Sequence, residues 1–455
     1  MKPVELRAEY FANPLGLGES RPFLFWRLES QNPDAAQRAY RLRFASSEAL
    51  LEAPDLGDSG WIASDQTTHV QYSGAPLSSR ARVWWSVEIE DERGEKARSE
   101  AAFFELGLLE ASDWRAKWIE TPLQGEERVS PPVPLLRRDF EIESPIRSAR
   151  IYATALGVYE MQLNGERVGD AFFAPGWTDY AQRVQYQTYD VTAQLREGDL
   201  NSWRVFLGDG WYCGSVDWRG RGRYGQKPKF FAQLEIVLEN GQKQLVYTDE
   251  NWNFASGTIL GADMQSGETH DLRFDFSEWN PVSVCEDAAL QNLKISAPIA
   301  PPVRITQRIS PVNTHRDGEN VIFDFGQNLV GFVRLRVRGQ RGQNVSLRFA
   351  EVLQGGPLAT EGPIYTENLR SAKQTDGVIL AGAEAGEWFE PKFTFHGFRY
   401  CEISGADESQ ILEIEAVVLH TDNRETGGFS CSDELVTQLQ KNIEWGWRGN
   451  SVDVP

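Results

Sequence analysis

The residues best suited to chemistry lie between Gly176 and Gly225. Gly176-Trp177-Thr178-Asp179-Tyr180 is followed by Leu207-Gly208-Asp209-Gly210-Trp211-Tyr212, then by Asp217-Trp218 and Arg223-Tyr224-Gly225. Sugars present CH faces that stack on indole and phenol rings, and hydroxyls that pair with carboxylates and guanidinium groups. Trp and Tyr interleaved with Asp and Arg in Gly-rich loops therefore suit carbohydrate binding. Trp177, Asp179, Tyr180, Asp209, Trp211 and Arg223 are the candidate contacts. For any one of these rings a corner of the core is the simpler place, with Gly208-Asp209-Gly210 as a turn.

Other chemistries lack the spacing they require. A metal centre needs ligands on one face, a phosphate loop needs glycines that open onto a helix, and a nucleophile elbow needs a strained turn that exposes a serine. His69, His270, His315, His396 and His420 are isolated from one another. Gly220-Arg221-Gly222-Arg223-Tyr224-Gly225 is glycine-rich, but no helical pattern follows it and Pro228 interrupts. Glu351, Asp376 and Glu402 could serve as the acid and base of a glycosidase, yet nothing around them marks that role, and strand-edge charge accounts for them. Cys213, Cys285, Cys401 and Cys431 stand far apart with no CxxC pair, which argues against a zinc cluster or a disulfide framework and fits a reducing compartment.

The elements that must position these side chains are mostly strands. The 455 residues correspond to about three domains, and 40 Gly, 22 Pro and 11% aromatic residues suit many strands joined by turns. Tyr40, Leu42 and Phe44 alternate with Arg41 and Arg43, the period of a strand with one buried face. Residues 1–112 read as a fibronectin-like sandwich. Residues 113–297 read as a second sandwich, with Asn164-Gly165 and Asn240-Gly241 as hairpin turns. Residues 298–422 form a third, in which Arg334, Arg336 and Arg338 alternate with apolar residues and mark a solvated outer face.

Residues 423–455 change character. Ser430 and Asp433 resemble a capping box, and Leu435, Leu439, Ile443 and Trp447 fall on one face of a helix. The predicted fold class is all-β, three consecutive sandwiches plus one C-terminal helix. An isolated helix of this length is marginal in water, so its apolar stripe has to bury against something. Following three β blocks, it reads as the start of a helical domain.

Charge narrows the partners. Lys and Arg total 46 against 66 Asp and Glu, a net charge of -20, which repels phosphate backbones and anionic lipid. Neither nucleic acid nor membrane is an expected partner. The N-terminus lacks an apolar leader and no run of about 18 apolar residues occurs, so a cytoplasmic location is expected.

Motifs along nearly the whole chain resemble the amino-terminal domains of bacterial α-L-rhamnosidases of glycoside hydrolase family 78. They include Trp26, Gln37-Arg38-Ala39-Tyr40, Asp58-Ser59-Gly60, Asn164-Gly165 and the 176–180 and 207–212 clusters. Phe323-Asp324-Phe325-Gly326-Gln327-Asn328, Phe349-Ala350-Glu351-Val352-Leu353 and Phe393-Thr394-Phe395-His396-Gly397-Phe398-Arg399-Tyr400 continue the match. Trp445-Gly446-Trp447-Arg448-Gly449-Asn450 and Val452-Asp453-Val454-Pro455 close it. The resemblance implies that the second sandwich is of galactose-binding or jelly-roll type and the third concanavalin-like. It further implies a following (α/α)6 barrel whose two carboxylic residues hydrolyse rhamnosides with inversion, the first of them just beyond the position matching Pro455.

No catalytic residue carries over to this chain, which is therefore expected not to hydrolyse rhamnosides alone: each missing proton transfer is worth roughly 10²–10⁴-fold. The expected partners are rhamnose-containing glycosides and the catalytic domain in cis. No cofactor is required by this reading. In some family members the second sandwich binds rhamnose through calcium held by an Asp-Asn pair. The matching positions are Asp179 and Tyr180, with Tyr180 standing where the pattern has Asn. Gln327, Asn328, His396, Arg399, Trp445 and Trp447 are the residues expected to face the barrel, and an apolar face prepared for it should make the fragment sticky. Two rival readings are a stand-alone carbohydrate-binding protein and an enzyme with its own site near Glu351.

Overall fold

A computed structural model describes residues 1–455 except Pro33, Asp217, Trp218, Arg219, Asp275, Ser277, Ser371 and Pro455. The Asp217-Trp218 part of the aromatic cluster, and Pro455, thus lie outside the described residues. The chain forms two compact units. The first comprises Met1–Arg115 with Tyr186–Tyr189 and Ile295–Ile299; the second holds the remainder.

In the first unit a three-stranded sheet (Lys2–Ala8, Phe23–Glu29, Val70–Gln71) accompanies a six-stranded one centred on Gln37–Ala45 and Arg82–Asp91. The antiparallel register places Leu42 opposite Val87 and Phe44 opposite Trp85, so the two-residue period buries one face of each strand. Tyr40, Leu42, Phe44, Val83, Trp85 and Trp26 join one core. The Trp26 indole N–H donates to Gln37 Oε1 at 3.0 Å, which satisfies a donor that burial would otherwise orphan.

The second unit begins with two antiparallel sheets. Ile146–Leu156 pairs along its length with Lys229–Leu238, and Leu200–Gly208 lies between Pro134–Glu141 and Val158–Leu163. Asn164 and Gly165 have φ of 55° and 88°, the left-handed pair that their hairpin requires.

Ten further strands form one sheet. Its spine is Asn320–Val337, paired in its first part with His396–Ser404 and in its second with Ile411–Thr421, with a break in register between Asp324 and Leu329. Outward arginines form ion pairs: Arg334 with Glu390 at 3.0 Å and Glu415 at 3.1 Å, Arg336 with Glu413 at 2.8 Å. The hairpin Ile259–Asp263 and Gly267–Asp271 falls within 113–297 of the sequence yet belongs to this sheet, through parallel pairing of Thr269–Asp271 with Gly377–Ile379.

The last element is the helix Glu434–Gly449. Its cap is Asp433 rather than Ser430: the Asp433 carboxylate accepts the N–H groups of Leu435 and Val436 at 2.9 and 3.2 Å, which are two of the orphan donors of the first turn. Trp445 packs against the core of the ten-stranded sheet. The expected stripe is otherwise bare, with Leu435 at 82%, Leu439 and Ile443 at 57% and Trp447 at 47% exposure. Among the described residues no helix is long and apolar enough to cross a membrane.

Candidate functional site

The expected cluster does assemble. The Trp177 and Trp211 rings stack with centroids 6.0 Å apart and planes 14° from parallel. Tyr224 meets Trp177 edge-on at 6.4 Å and Tyr180 at 5.2 Å, and Tyr212 meets Tyr180 at 5.2 Å. Only part of it reaches solvent: Trp177 is half-buried, while Asp179 and Arg223 are exposed.

Three of the candidates turn inward and are corrected accordingly. Tyr180 is buried, its hydroxyl donates to the Gly176 carbonyl at 3.2 Å, and burial pushes its pKa well up. Trp211 is buried in the short helical turn Gly210–Cys213. Asp209 is buried against Arg221, whose Nη2 donates to Asp209 Oδ2 at 2.7 Å, while Nη1 reaches Ser130 Oγ at 2.5 Å. Burial raises the Asp209 carboxyl, and Arg221 pulls it back. The polar atoms of Tyr180 and Asp209 are thus engaged inside the protein.

Asp179 is bonded within its own loop. Its Oδ1 accepts the Ala181 N–H at 3.2 Å and its Oδ2 the Gln182 side-chain amide at 2.7 Å. Each carboxylate oxygen thus takes one N–H donor, and Tyr180, which stands where the pattern has Asn, is buried. Among the described residues no group of three or more His, Cys, Asp or Glu side chains is gathered for a metal.

A contact that the sequence does not announce closes the cluster. The Trp177 N–H donates to Asp453 Oδ2 at 2.5 Å across 276 residues. Gly176 adopts φ 93°, and a Cβ there would lie 2.5 Å from Asp453 Oδ1, so only glycine lets the carboxylate approach. Burial raises the Asp453 carboxyl against the pull of the Trp177 N–H. Asp453 N–H is itself held by Thr421 Oγ1 at 2.9 Å, which pins the segment after the helix to both the ten-stranded sheet and the Trp177 loop.

The residues expected to face a barrel divide likewise. His396 is 1% exposed, stacked on Phe349 at 4.2 Å with Nε2 3.0 Å from Asp376 Oδ1, so it is a core residue and not an interface one. Trp445 is half-buried on the ten-stranded sheet, and Trp447 is exposed. Gln327 Nε2 donates to the Asn328 carbonyl at 2.7 Å, and Asn328 Nδ2 to the exposed Glu351 at 3.0 Å. Arg399 grips Asp324 with two bonds of 2.7 Å.

Desolvation works to raise the Asp324 carboxyl, but Arg399 and the Gly326 N–H outweigh it and hold it below the usual range. A lowered folded-state pKa contributes stability above the unfolded value, near 3.9, that is lost as pH falls through the folded one. Asp324→Asn is therefore expected to cost about 2 kcal/mol at pH 7, with the gap from the parent closing below about pH 4, as read by urea unfolding at a series of pH values. A gap independent of pH would contradict the charge argument.

Comparison with known proteins agrees with this architecture. Residues 3–110 match the Rha78A-like, N-terminal immunoglobulin domain, residues 144–311 the α-L-rhamnosidase N-terminal domain, and residues 314–420 the bacterial α-L-rhamnosidase concanavalin-like domain. An α-L-rhamnosidase of Formosa agariphila is 36% identical over 98% of this chain and 50% of its own, and one of Alteromonas is 36% identical over 100% and 51%. The chain thus spans about half the length of the curated relatives it matches. The structure of the Streptomyces avermitilis α-L-rhamnosidase complexed with L-rhamnose superposes with a TM-score of 0.92 at 30% identity, covering 100% of this chain and 61% of that one. With its immunoglobulin-like, N-terminal and concanavalin-like domains in order, the chain belongs to the bacterial α-L-rhamnosidase family as an amino-terminal portion.

Proposed function

We propose that this chain is the non-catalytic scaffold of an α-L-rhamnosidase, which acts on terminal α-L-rhamnosides through carboxylic residues of an (α/α)6 barrel joined to it in cis. The carrying observation is the capped helix Glu434–Gly449, whose row of Leu435, Leu439, Ile443 and Trp447 lies bare. A helix secured at its start and anchored by Trp445, with its apolar face uncovered, is half of a helix–helix contact. The relatives' roughly twofold greater length supplies room for the other half. We further place the protein in a reducing compartment, in keeping with its free cysteines.

The test is release of nitrophenol from an aryl α-L-rhamnoside. It is expected from this chain continued into its family barrel and absent from the 455-residue chain, and turnover by the latter would overturn the proposal. A second reading, a sugar-binding module in the second sandwich, is favoured by the half-exposed Trp177 stacked on Trp211 beside the exposed Arg223.

A further inference from the structure

The first unit displays aromatic rings that its fold does not need on the surface. After strand Lys2–Ala8 the chain reverses through Glu9 and Tyr10, with Ala8 N–H donating to the Phe11 carbonyl and Phe11 N–H to the Ala8 carbonyl, both at 3.0 Å. The two central residues have φ of 46° and 69°, the left-handed pair of a two-residue turn for which Asn-Gly is the ordinary choice. Tyr10 thus occupies a glycine position and strains the backbone, yet 59% of it is exposed.

The ring is held in place all the same. It lies over Phe25 with centroids 4.6 Å apart, and its hydroxyl is 2.8 Å from His69 Nε2. His69 also has a left-handed φ, 54°, and its ring meets Phe23 edge-on at 5.8 Å and Phe25 at 4.8 Å. Phe23 is 39% exposed. Two strained non-glycine residues therefore present a fixed group of rings to water.

The chemistry of this surface selects its occupant. Nearby, Glu5 is paired with Arg27 at 2.9 Å and the Glu9 carboxylate is turned to the Phe23 N–H at 2.7 Å, so the rings themselves, rather than a charged side chain, are what this surface presents. Three exposed rings are far smaller than the roughly 800 Å² that each partner buries in a stable protein interface. A pyranose matches both: its CH face stacks on a ring, and its hydroxyls pair with the Tyr10 hydroxyl oxygen, which keeps capacity beyond its bond to His69 Nε2. We propose that Tyr10, Phe23 and His69 form a surface site for a neutral sugar residue of a glycan. That the sugar is a 6-deoxyhexose rests on the α-L-rhamnosidase reading above.

Saturation-transfer NMR on the whole chain tests this, with methyl α-L-rhamnopyranoside and methyl β-D-glucopyranoside as probes. Transfer to ring CH protons is expected from the parent chain with the rhamnoside. It should fall at least about tenfold in Tyr10→Gly, and it should persist in Trp388→Ala, which removes an exposed ring elsewhere. Glycine suits the φ at position 10, so the melting temperature of Tyr10→Gly should not fall, which separates loss of a site from loss of fold. Transfer with the glucoside alone would keep the site and remove only its 6-deoxyhexose preference. Absence of transfer with both probes, or transfer undiminished by Tyr10→Gly, would overturn the proposal. Transfer lost in Trp177→Ala instead would overturn it and assign the sugar to the second sandwich. The aryl-rhamnoside assay on the chain continued into its family barrel tests the α-L-rhamnosidase reading independently of all these outcomes.

Discussion

Arg221→Met should lower the melting transition of the larger unit by about 6–20 °C. The guanidinium and its partner Asp209 are 6% and 5% exposed, so removing the cation leaves a carboxylate buried without a counter-charge. Breaking a buried pair from one side costs about 3–5 kcal/mol, and for a large unit each kilocalorie moves the transition by roughly 2–4 °C. The Asp263 carboxylate, 3.9 Å from Arg221, adds like charge to the same spot. Replacing both partners, Asp209→Leu with Arg221→Met, should recover part of the loss, because the Asp209 charge goes with its partner while the Asp263 carboxylate stays, held by the Ser215, Gln265 and Ser266 N–H groups. Scanning fluorimetry of the three proteins decides it. A single variant melting like the parent would show that water reaches Asp209.

The second large effect is expected at Glu268. Its side chain is fully buried and accepts the Phe393 N–H at 2.8 Å and the Lys392 N–H at 3.1 Å, with His270 Nε2 at 2.5 Å. Glu268→Ala strips three donors of their acceptor in a dry site, at a cost of about 3–5 kcal/mol. It should also release the Gly267–Asp271 strand, so that amides of its neighbour Thr375–Ile379 lose protection from hydrogen exchange before the rest of the unit does. Glu268→Gln keeps an acceptor for the N–H groups and should cost less than half as much. Equal losses in the two variants would mean that charge toward His270 matters more than acceptance of the backbone donors, and full protection in the alanine variant would contradict the anchoring role.

The features that were legible in the sequence are those that depend on neighbours along the chain. Tyr40, Leu42 and Phe44 show their buried face by period alone, Asn164-Gly165 names its own turn, and the helix stripe from Leu435 to Trp447 follows from spacing. The aromatic cluster was visible because its members lie within three short segments. Its inside and outside were not, since whether Tyr180 or Trp177 meets solvent depends on what packs above it.

Arg221 was hidden for the same reason. In a run of glycines it reads as a loop cation, and only the approach of Asp209 and Ser130 makes it a buried one. The Asp453–Trp177 bond spans 276 residues and leaves no local trace beyond a glycine at 176. His396 was expected to face the barrel from the resemblance alone; the Asp376 carboxylate that permits its burial comes from a different strand, out of reach of any local pattern.

The hairpin Ile259–Asp271 bears on how such a chain can be divided, inherited or synthesised. It completes a sheet whose other strands are all encoded after residue 300, so a gene fusion made at the apparent boundary would hand the downstream piece a raw edge at Thr375–Ile379. A bare edge pairs readily with another copy of itself. During synthesis the hairpin emerges first and must wait for Asp376, 108 residues later, to receive the Glu268 N–H. At the usual pace of a ribosome that is a delay of roughly 5–20 s, during which the second sandwich carries an unfinished limb. Recombination that swaps these domains one at a time would break the clasp, and descent as an indivisible pair is the inheritance this topology favours.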